Sequence, residues 1–483
     1  VALAATPAVL ALARYNHPDT LMTLLVVSAA YCCARALDSE RRAWLVATGV
    51  LLGLAFLSKW AVALLPAPSF AAALVTARRR AVRVHLRRLG LVAIAGTMTG
   101  LSWVAVVLAV PAAARPYADG SGGSLLSLVI GRDGFSRLGS GSLGPAPGNP
   151  VSGSPGVLRL FEPPFSGQVA WLLPLALSIL ATVAVRSRGR LSPGLVLFGG
   201  WLVTTVLAFS AMSGAMHPYY GVLMAPAVAA VVGLGMHELR GRRERGWVGM
   251  FAAGTVAYGI AVGMTYGVPR PVLWLAGGLA VASLSGAALV RAVRRRSSAR
   301  SSLGSSPARL AAATMAAGLL LCPMALSLET IRHPMTGSDP LAGPASSPVP
   351  ARYPADLMTF LGSHQGGSTW LAAVPRATAA SLMQLQDNEP VLPLGGFTGH
   401  SGGPTLAQVR AWVDDDRLRY LVLTSSYVAY PDDTPPALHG FAIASVLSWA
   451  ARTGCSHRVD PAYVVLDLDA ETCTVGGAAA TAQ

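Results

Sequence analysis

The residues best suited to chemistry lie in three short polar breaks in an otherwise apolar chain. The first is RYNHPD, residues 14–19, which carries Arg14, Asn16, His17 and Asp19. The second is Lys59 in GLAFLSKWAVALLP (53–66), the single lysine among 37 basic residues. The third is AMHPYYGVLMAP (215–226), with His217, Tyr219 and Tyr220. An ammonium is a compact point charge suited to a phosphate, and a carboxylate or imidazole can move a proton. Plainer readings stand beside this one. A lysine at a helix end can snorkel to a membrane surface. RYNHPD can be a polar turn with Pro18 as the first residue of a helix. The tyrosines can belong to an interfacial aromatic belt. What favours chemistry is convergence, because the charge pattern puts all three breaks on the same side of a membrane.

That side follows from composition. The chain has 483 residues, 53% hydrophobic and only 12% charged, with a mean hydropathy of +0.52. A soluble domain carries roughly a quarter charged residues, so the deficit and the long apolar runs indicate a polytopic membrane protein. Apolar runs fall at 1–13, 19–36, 43–58, 60–77, 89–111, 169–185, 191–210, 219–237, 247–265, 271–290 and 308–327. The net charge of +15 could suggest a nucleic-acid partner, but most arginines sit in five short clusters between these runs. The clusters are 35–42, 78–88, 186–190, 240–245 and 291–309, and the remaining sequence holds slightly more acids than bases. This is the positive-inside pattern, so the clusters are cytoplasmic and nucleic acid is not a partner. Alternation then puts 14–19, 58–60, 112–168, 213–220, 266–271 and everything after about 328 on the outer face.

The expected organisation is a multi-helix membrane domain over 1–327, a linker over 328–352 and a small α/β extracytoplasmic domain over 353–483. The outer loop 112–168 is rich in Gly, Ser and Pro with an apolar patch, SLLSLVI (124–130), as expected of a cover resting on the membrane or over a cavity. In the tail, STWLAAV, PVLPLGG, RYLVLTS and AYVVLDL read as strands, and RATAASLMQLQ and TLAQVRAWVDDD as helices. That alternation suggests a mainly parallel sheet. GGFTGHSGGPT (395–405) lacks a P-loop lysine and reads as a strand-to-helix turn with Thr405 as a helix cap. Asp414, Asp415 and Asp416 read as a solvated helix end that could hold a divalent cation weakly; no other cofactor or metal site is indicated. Cys32, Cys33 and Cys322 fall in apolar helices as packing residues, whereas Cys455 and Cys473 lie in the outer domain and are expected to pair. The sequence starts at Val1 with an apolar run too short to span alone, and is read as N-terminally truncated.

These segments resemble the family 39 glycosyltransferases, the group of protein O-mannosyltransferases and lipid A aminoarabinose transferases. ALAATPAVLALARYNHPDTLMTLLVVSAAY looks like the family's outer loop and following helix, and GLAFLSKWAVALLP like its Gly-rich helix ending in a lysine. ARPYADGSGGSLLSLVIGRDGFSRL, AMHPYYGVLMAPAVAAVVGLG and GGFTG…TLAQ…V…RY look like a bacterial subgroup with a C-terminal domain. The resemblance implies a GT-C-like helical bundle that moves a sugar, a hexose such as mannose, from a polyprenyl-phosphate donor to an acceptor at the outer face. The acceptor itself is not indicated. It implies donor-phosphate binding by Lys59, and carries Arg14, His17, Asp19, His217, Tyr219 and Tyr220 over as cavity-lining residues. The family's catalytic acid lies in its first outer loop, which would precede Val1, so the resemblance names no base here. The competing readings are a transporter or flippase of a lipid-linked substrate and a non-catalytic membrane scaffold. Against transport, no internal repeat or matched pair of broken helices is visible.

If the outer-domain cysteines are bridged, thiol labelling of the native, unreduced protein leaves both Cys455 and Cys473 unmodified. Clear labelling of both removes the bridge.

Overall fold

A computed structural model describes all residues except 40, 78–79, 112–114, 116–123, 133–152, 214–215, 240–241, 297–305, 334–339, 345–351, 397–402, 425–441 and 470–483. The chain divides into two compact units. The membrane unit comprises 1–114, 129–335 and 339–347; the second comprises 348–483 with 115–128 and 336–338.

In a bilayer every backbone polar group must be satisfied within the protein, so the apolar runs become helices. They are α1 (Pro7–Ala13), α2 (Pro18–Ser39), α3 (Arg42–Lys59), α4 (Ala67–Thr76) and α5 (Val82–Ala109). After the outer loop come α6 (Phe165–Gln168), α7 (Leu173–Arg186), α8 (Pro193–Ala211), α9 (Ala225–Glu238), α10 (Arg242–Thr265), α11 (Arg270–Arg296) and α12 (Ser306–Arg332). Among the described residues, eight helices are long and apolar enough to cross a membrane, and the fold is that of a multi-pass membrane protein. The arginine clusters and the three polar breaks lie at opposite ends of these helices. Of the apolar patch at 124–130, Leu126 is exposed and Val129 buried.

Two features of this bundle position the site. Gly49 and Gly53 on α3 face Gly96 and Gly100 on α5 across a seam with no room for side chains. A Cβ on Gly49 would lie 2.3 Å from the Val92 carbonyl oxygen, and one on Gly53 would lie 2.5 Å from that of Gly96. Small residues at four-residue spacing let helix backbones touch in a bilayer, where packing rather than hydrophobic burial holds helices together. Second, α3 stops at Lys59 because Trp60 adopts φ +52°, a left-handed conformation that is costly for a bulky residue. The chain continues as a 3-10 turn over Trp60–Leu64 before α4.

The last membrane helix runs to Arg332, beyond the expected end at 327. Its final turns are polar and are supported by contacts from Glu329 to Arg332 and His333. Part of the expected linker is docked rather than free. Gln168, 1% exposed, accepts from the Ala342 N–H at 2.9 Å and donates to the Ala342 carbonyl at 3.3 Å. The Gly343 N–H donates to the Thr330 hydroxyl at 2.9 Å.

The second unit contains α13 (Ala355–His364), β1 (Ala372–Val374), α14 (Ala377–Asp387), β2 (Val391–Pro393), α15 (Leu406–Asp414) and β3 (Tyr420–Thr424). It ends with α16 (Ala442–Thr453), β4 (Cys455–Asp460) and β5 (Tyr463–Asp467). Strand side chains alternate between two cores: Ala373, Leu421, Leu423, Val464 and Leu466 pack with α15 and α16. Ala372, Val374, Tyr420, Val422 and Val465 pack with α13 and α14 on the other face. The sheet order is β2-β1-β3-β5-β4, and it is mixed rather than mainly parallel. Strand β1 pairs in parallel with β2 and β3, while β5 runs antiparallel to both β3 and β4. The β4–β5 connection is too short for a parallel crossover, which needs a dozen or more residues. Thr405 caps α15 in a reciprocal capping box with Gln408, as expected. Asp414, Asp415 and Asp416 are exposed at the end of α15, and no group of three or more His, Cys, Asp or Glu among the described residues is arranged to hold a metal. Cys455 is disulfide-bonded, and Cys32, Cys33 and Cys322 are free; Cys473 lies outside the described residues.

Replacing Gly53 by Leu forces α3 from α5 and costs about 1–3 kcal/mol. The residue lies roughly 9 Å along α3 from Lys59, so the site moves with it. Thermal unfolding in detergent checks this: Gly53→Ala should lower the midpoint less than Gly53→Leu, and equal midpoints for all three proteins would remove the seam from the argument.

Candidate functional site

The site forms where one helix begins and another ends. Pro18 starts α2 and places Asp19 in its first turn. Helices α2 and α3 run antiparallel, so the start of α2 meets the end of α3. The helix dipole favours an anion at a helix start and a cation at a helix end, which suits Asp19 and Lys59 in turn. The Ser58 hydroxyl ties the two ends by donating to the Pro18 carbonyl at 2.9 Å.

Asp19 is fully buried. Its Oδ2 lies 2.7 Å from Lys59 Nζ and 2.7 Å from His17 Nδ1. Neither approach has the alignment of a good hydrogen bond, and Oδ1 is buried with no hydrogen-bond partner among the described residues. The Thr23 hydroxyl, one turn along α2, is in the same condition. The Asp19 N–H donates to His17 Nδ1 at 3.5 Å.

The floor of the site is aromatic. Before α9, the chain forms a 3-10 turn, Pro218–Met224, that buries Tyr219 and Tyr220. Lys59 Nζ stands 5.1 Å from the Tyr219 ring centre and 5.2 Å from that of Tyr220, within range of a cation–π interaction. The His17 ring meets Tyr219 edge-on at 4.5 Å, and His217 stacks on Tyr219 at 5.0 Å. The ammonium is thus neutralised from one side by a carboxylate and supported by two π-faces. It has three protons to donate, so facing Asp19 does not exhaust it.

His17, Asp19, Lys59, His217, Tyr219 and Tyr220 are therefore brought together from three separate segments. Arg14 turns elsewhere: its guanidinium donates to the Thr330 carbonyl at the end of α12. Gln168 and Thr330, which dock the segment after α12, and Arg159 carry no sequence signal beyond being polar. Arg159 is buried and donates to the carbonyls of Gly153, Phe209 and Met212, pinning the end of the outer loop to the end of α8.

Comparison with known proteins matches both units. Residues 1–103 match the family described as dolichyl-phosphate-mannose-protein mannosyltransferase, and this match includes His17, Asp19 and Lys59. Residues 357–434 match the family described as "Putative mannosyltransferase YkcB-like, C-terminal". Among curated proteins of Bacillus subtilis strain 168, "Putative mannosyltransferase YycA" is 23% identical over 526 residues, covering 88% of this chain and 75% of that protein. "Putative mannosyltransferase YkcB" is 24% identical over 528 residues, covering 87% and 72%. Among solved structures, ArnT from Cupriavidus metallidurans bound to undecaprenyl phosphate has 17% identity and a TM-score of 0.48, over 96% of this chain and 78% of that one. Over both units the chain is thus similar to the proteins named putative mannosyltransferases YycA and YkcB.

Removing one partner of a buried ion pair leaves an uncompensated charge. Asp19→Leu or Lys59→Met alone should therefore cost about 3–5 kcal/mol, and the double variant less than the sum. A double-mutant cycle by thermal unfolding in detergent measures the coupling, and strictly additive losses would show that the pair does not interact.

Proposed function

We propose that this relative of the YkcB- and YycA-like proteins is a membrane glycosyltransferase. It takes a sugar, a hexose such as mannose, from a polyprenyl-phosphate donor to an acceptor at the extracytoplasmic face. The observation that carries this reading is Lys59: one ammonium held at a helix end by a buried carboxylate, over two tyrosine faces, at the outer side of a multi-pass bundle. A charged side chain kept at membrane depth and facing protein is the usual mark of a substrate path. Likeness to mannosyltransferases at both ends of the chain supports the same reading.

In this reading Lys59 binds the donor phosphate. When the bond from the sugar to the phosphate breaks, negative charge grows on the leaving lipid phosphate, and a preorganised ammonium stabilises it more in the transition state than in the ground state. Asp19 positions Lys59 and His17 through Oδ2. Tyr219 and Tyr220 keep the ammonium from turning into the bundle. The acceptor hydroxyl needs a base, and Asp19 Oδ2 is already crowded by Lys59 Nζ and His17 Nδ1, each at 2.7 Å. Asp19 is therefore assigned to positioning, and the base is left to another group. The polyprenyl chain lies along the membrane, in contact with lipid.

The test supplies radiolabelled polyprenyl-phosphate mannose to purified protein in detergent. A transferase moves label to an acceptor without a sealed vesicle; a transporter cannot. Lys59→Ala should lower transfer at least 100-fold and weaken polyprenyl phosphate binding, consistent with roughly 3 kcal/mol for one electrostatic donor. Unchanged transfer in Lys59→Ala would sink the phosphate role, and label moving only across sealed vesicles would favour transport.

A further inference from the structure

We propose that Thr23 is a positioning residue, whose hydroxyl anchors the Asp19 carboxylate through Oδ1 when a donor phosphate draws on the charge of Lys59. This rests on the reading of Lys59 as the phosphate ligand.

Two polar atoms in the first turns of α2 are buried and unused. Asp19 is fully buried, and its Oδ1 has no hydrogen-bond partner among the described residues. The Thr23 hydroxyl oxygen is buried without such a partner as well. Other threonines of the bundle behave differently. Thr48, Thr205 and Thr255, all fully buried, each donate to the carbonyl four residues back at 2.8 Å. For Thr23 that carbonyl belongs to Asp19, and the hydroxyl does not take it. Residues four apart share a helix face, and helical side chains lean toward the N-terminus, so Thr23 leans over the turn that carries Asp19. A donor and an acceptor, neither in use, thus stand one turn apart.

The carboxylate needs that donor once a ligand arrives. At rest its charge is balanced by Lys59, which Oδ2 faces at 2.7 Å. A phosphate on the same ammonium brings a second anion to one cation, and the hold on Asp19 weakens. A buried carboxylate that loses compensation must gain a donor, gain a proton or move. Neighbouring donors are engaged. The Thr20 hydroxyl donates to the Leu12 carbonyl at 2.9 Å, the Ser58 hydroxyl to that of Pro18, and Arg14 to that of Thr330. The Asp19 N–H donates to His17 Nδ1. Threonine, unlike valine, populates two χ1 wells in a helix, so a turn of the side chain brings the Thr23 hydroxyl to Oδ1. An ionised acceptor makes the stronger hydrogen bond, so this bond gains most when the phosphate has taken up part of the ammonium's charge. Asp19 then stays ionised and in place, and Lys59 stays aimed at the phosphate.

The experiment measures polyprenyl phosphate binding to the full chain in detergent by calorimetry, with thermal unfolding of the ligand-free protein beside it. Thr23→Val keeps the shape of the side chain and removes the hydroxyl. The ligand-free variant should unfold no lower than wild type, because the hydroxyl it lacks had no partner. Its affinity for polyprenyl phosphate should fall about tenfold, the worth of a hydrogen bond to a charged group. Thr23→Ser should restore that affinity. A residue that only packs would move midpoint and affinity together, or neither. Unchanged affinity in Thr23→Val overturns the proposal. So does a lower midpoint of the ligand-free variant, which would show the hydroxyl already bonded at rest, and so does a serine that fails to restore binding. Lys59→Ala separates the proposal from the reading beneath it: loss of binding there keeps the phosphate role whatever Thr23 does. Binding that survives in Lys59→Ala, or no binding by the wild type, overturns both.

Discussion

A carboxylate buried at the meeting point of two helix ends governs the architecture around it. An unpaired anion at that depth would cost far more than a single domain can spare, so Asp19 must have partners. It finds them in Lys59 at the end of α3 and His17 just before α2. The helices must therefore be antiparallel neighbours, α3 must stop at Lys59, and the turn carrying the aromatic floor must come up beneath the ammonium. The last two conditions have their own devices, the left-handed Trp60 and the Pro218–Met224 turn, while the glycine seam holds α3 against α5. Buried ion pairs often stabilise little on balance, because desolvation offsets attraction. Keeping one here makes better sense as preorganisation for a charged ligand than as a source of stability.

The outer face of the bundle is fixed by polar groups that satisfy backbone, not by apolar packing alone. Arg159 takes the free carbonyls at the end of α8, and Gln168 pairs in both directions with Ala342. Helix ends leave carbonyls without partners, and buried side-chain donors are the usual remedy. The consequence is that Ala342 and Gly343, beyond the last membrane helix, are held against Gln168 and Thr330. The two units obey different rules. The first is organised by lipid, with exposed apolar side chains such as Leu24, Met98 and Trp274. The second buries strand residues alternately against helices on both faces of one sheet.

Much of this was legible along the chain. All three polar breaks fell on one side from the arginine clusters, and the strands β1, β2, β3 and β5 stood where apolar, β-branched runs suggested them. The Thr405 cap was readable because a capping residue sits directly before the helix that it starts. The antiparallel half of the sheet was not: β4 is CSHRVD, polar and half-exposed, and carries no strand-like alternation of apolar residues. The extra turns of α12 were also hidden, since hydropathy ends where helix-stabilising charge pairs take over.

By itself the amino-acid sequence determined where the apolar helices lie, which way they face and which residues could do chemistry, because hydropathy, periodicity and charge act between near neighbours. Only the tertiary structure decided which of those residues work together. Arg14 and Asp19 are five positions apart, yet one reaches α12 and the other α3. Asp19 and Lys59 are 40 residues apart and touch, because α2 and α3 pack as an antiparallel pair and one tryptophan makes α3 stop there. Side-chain pairing over that separation depends on distances of a few tenths of an ångström between helices, and no local pattern encodes them.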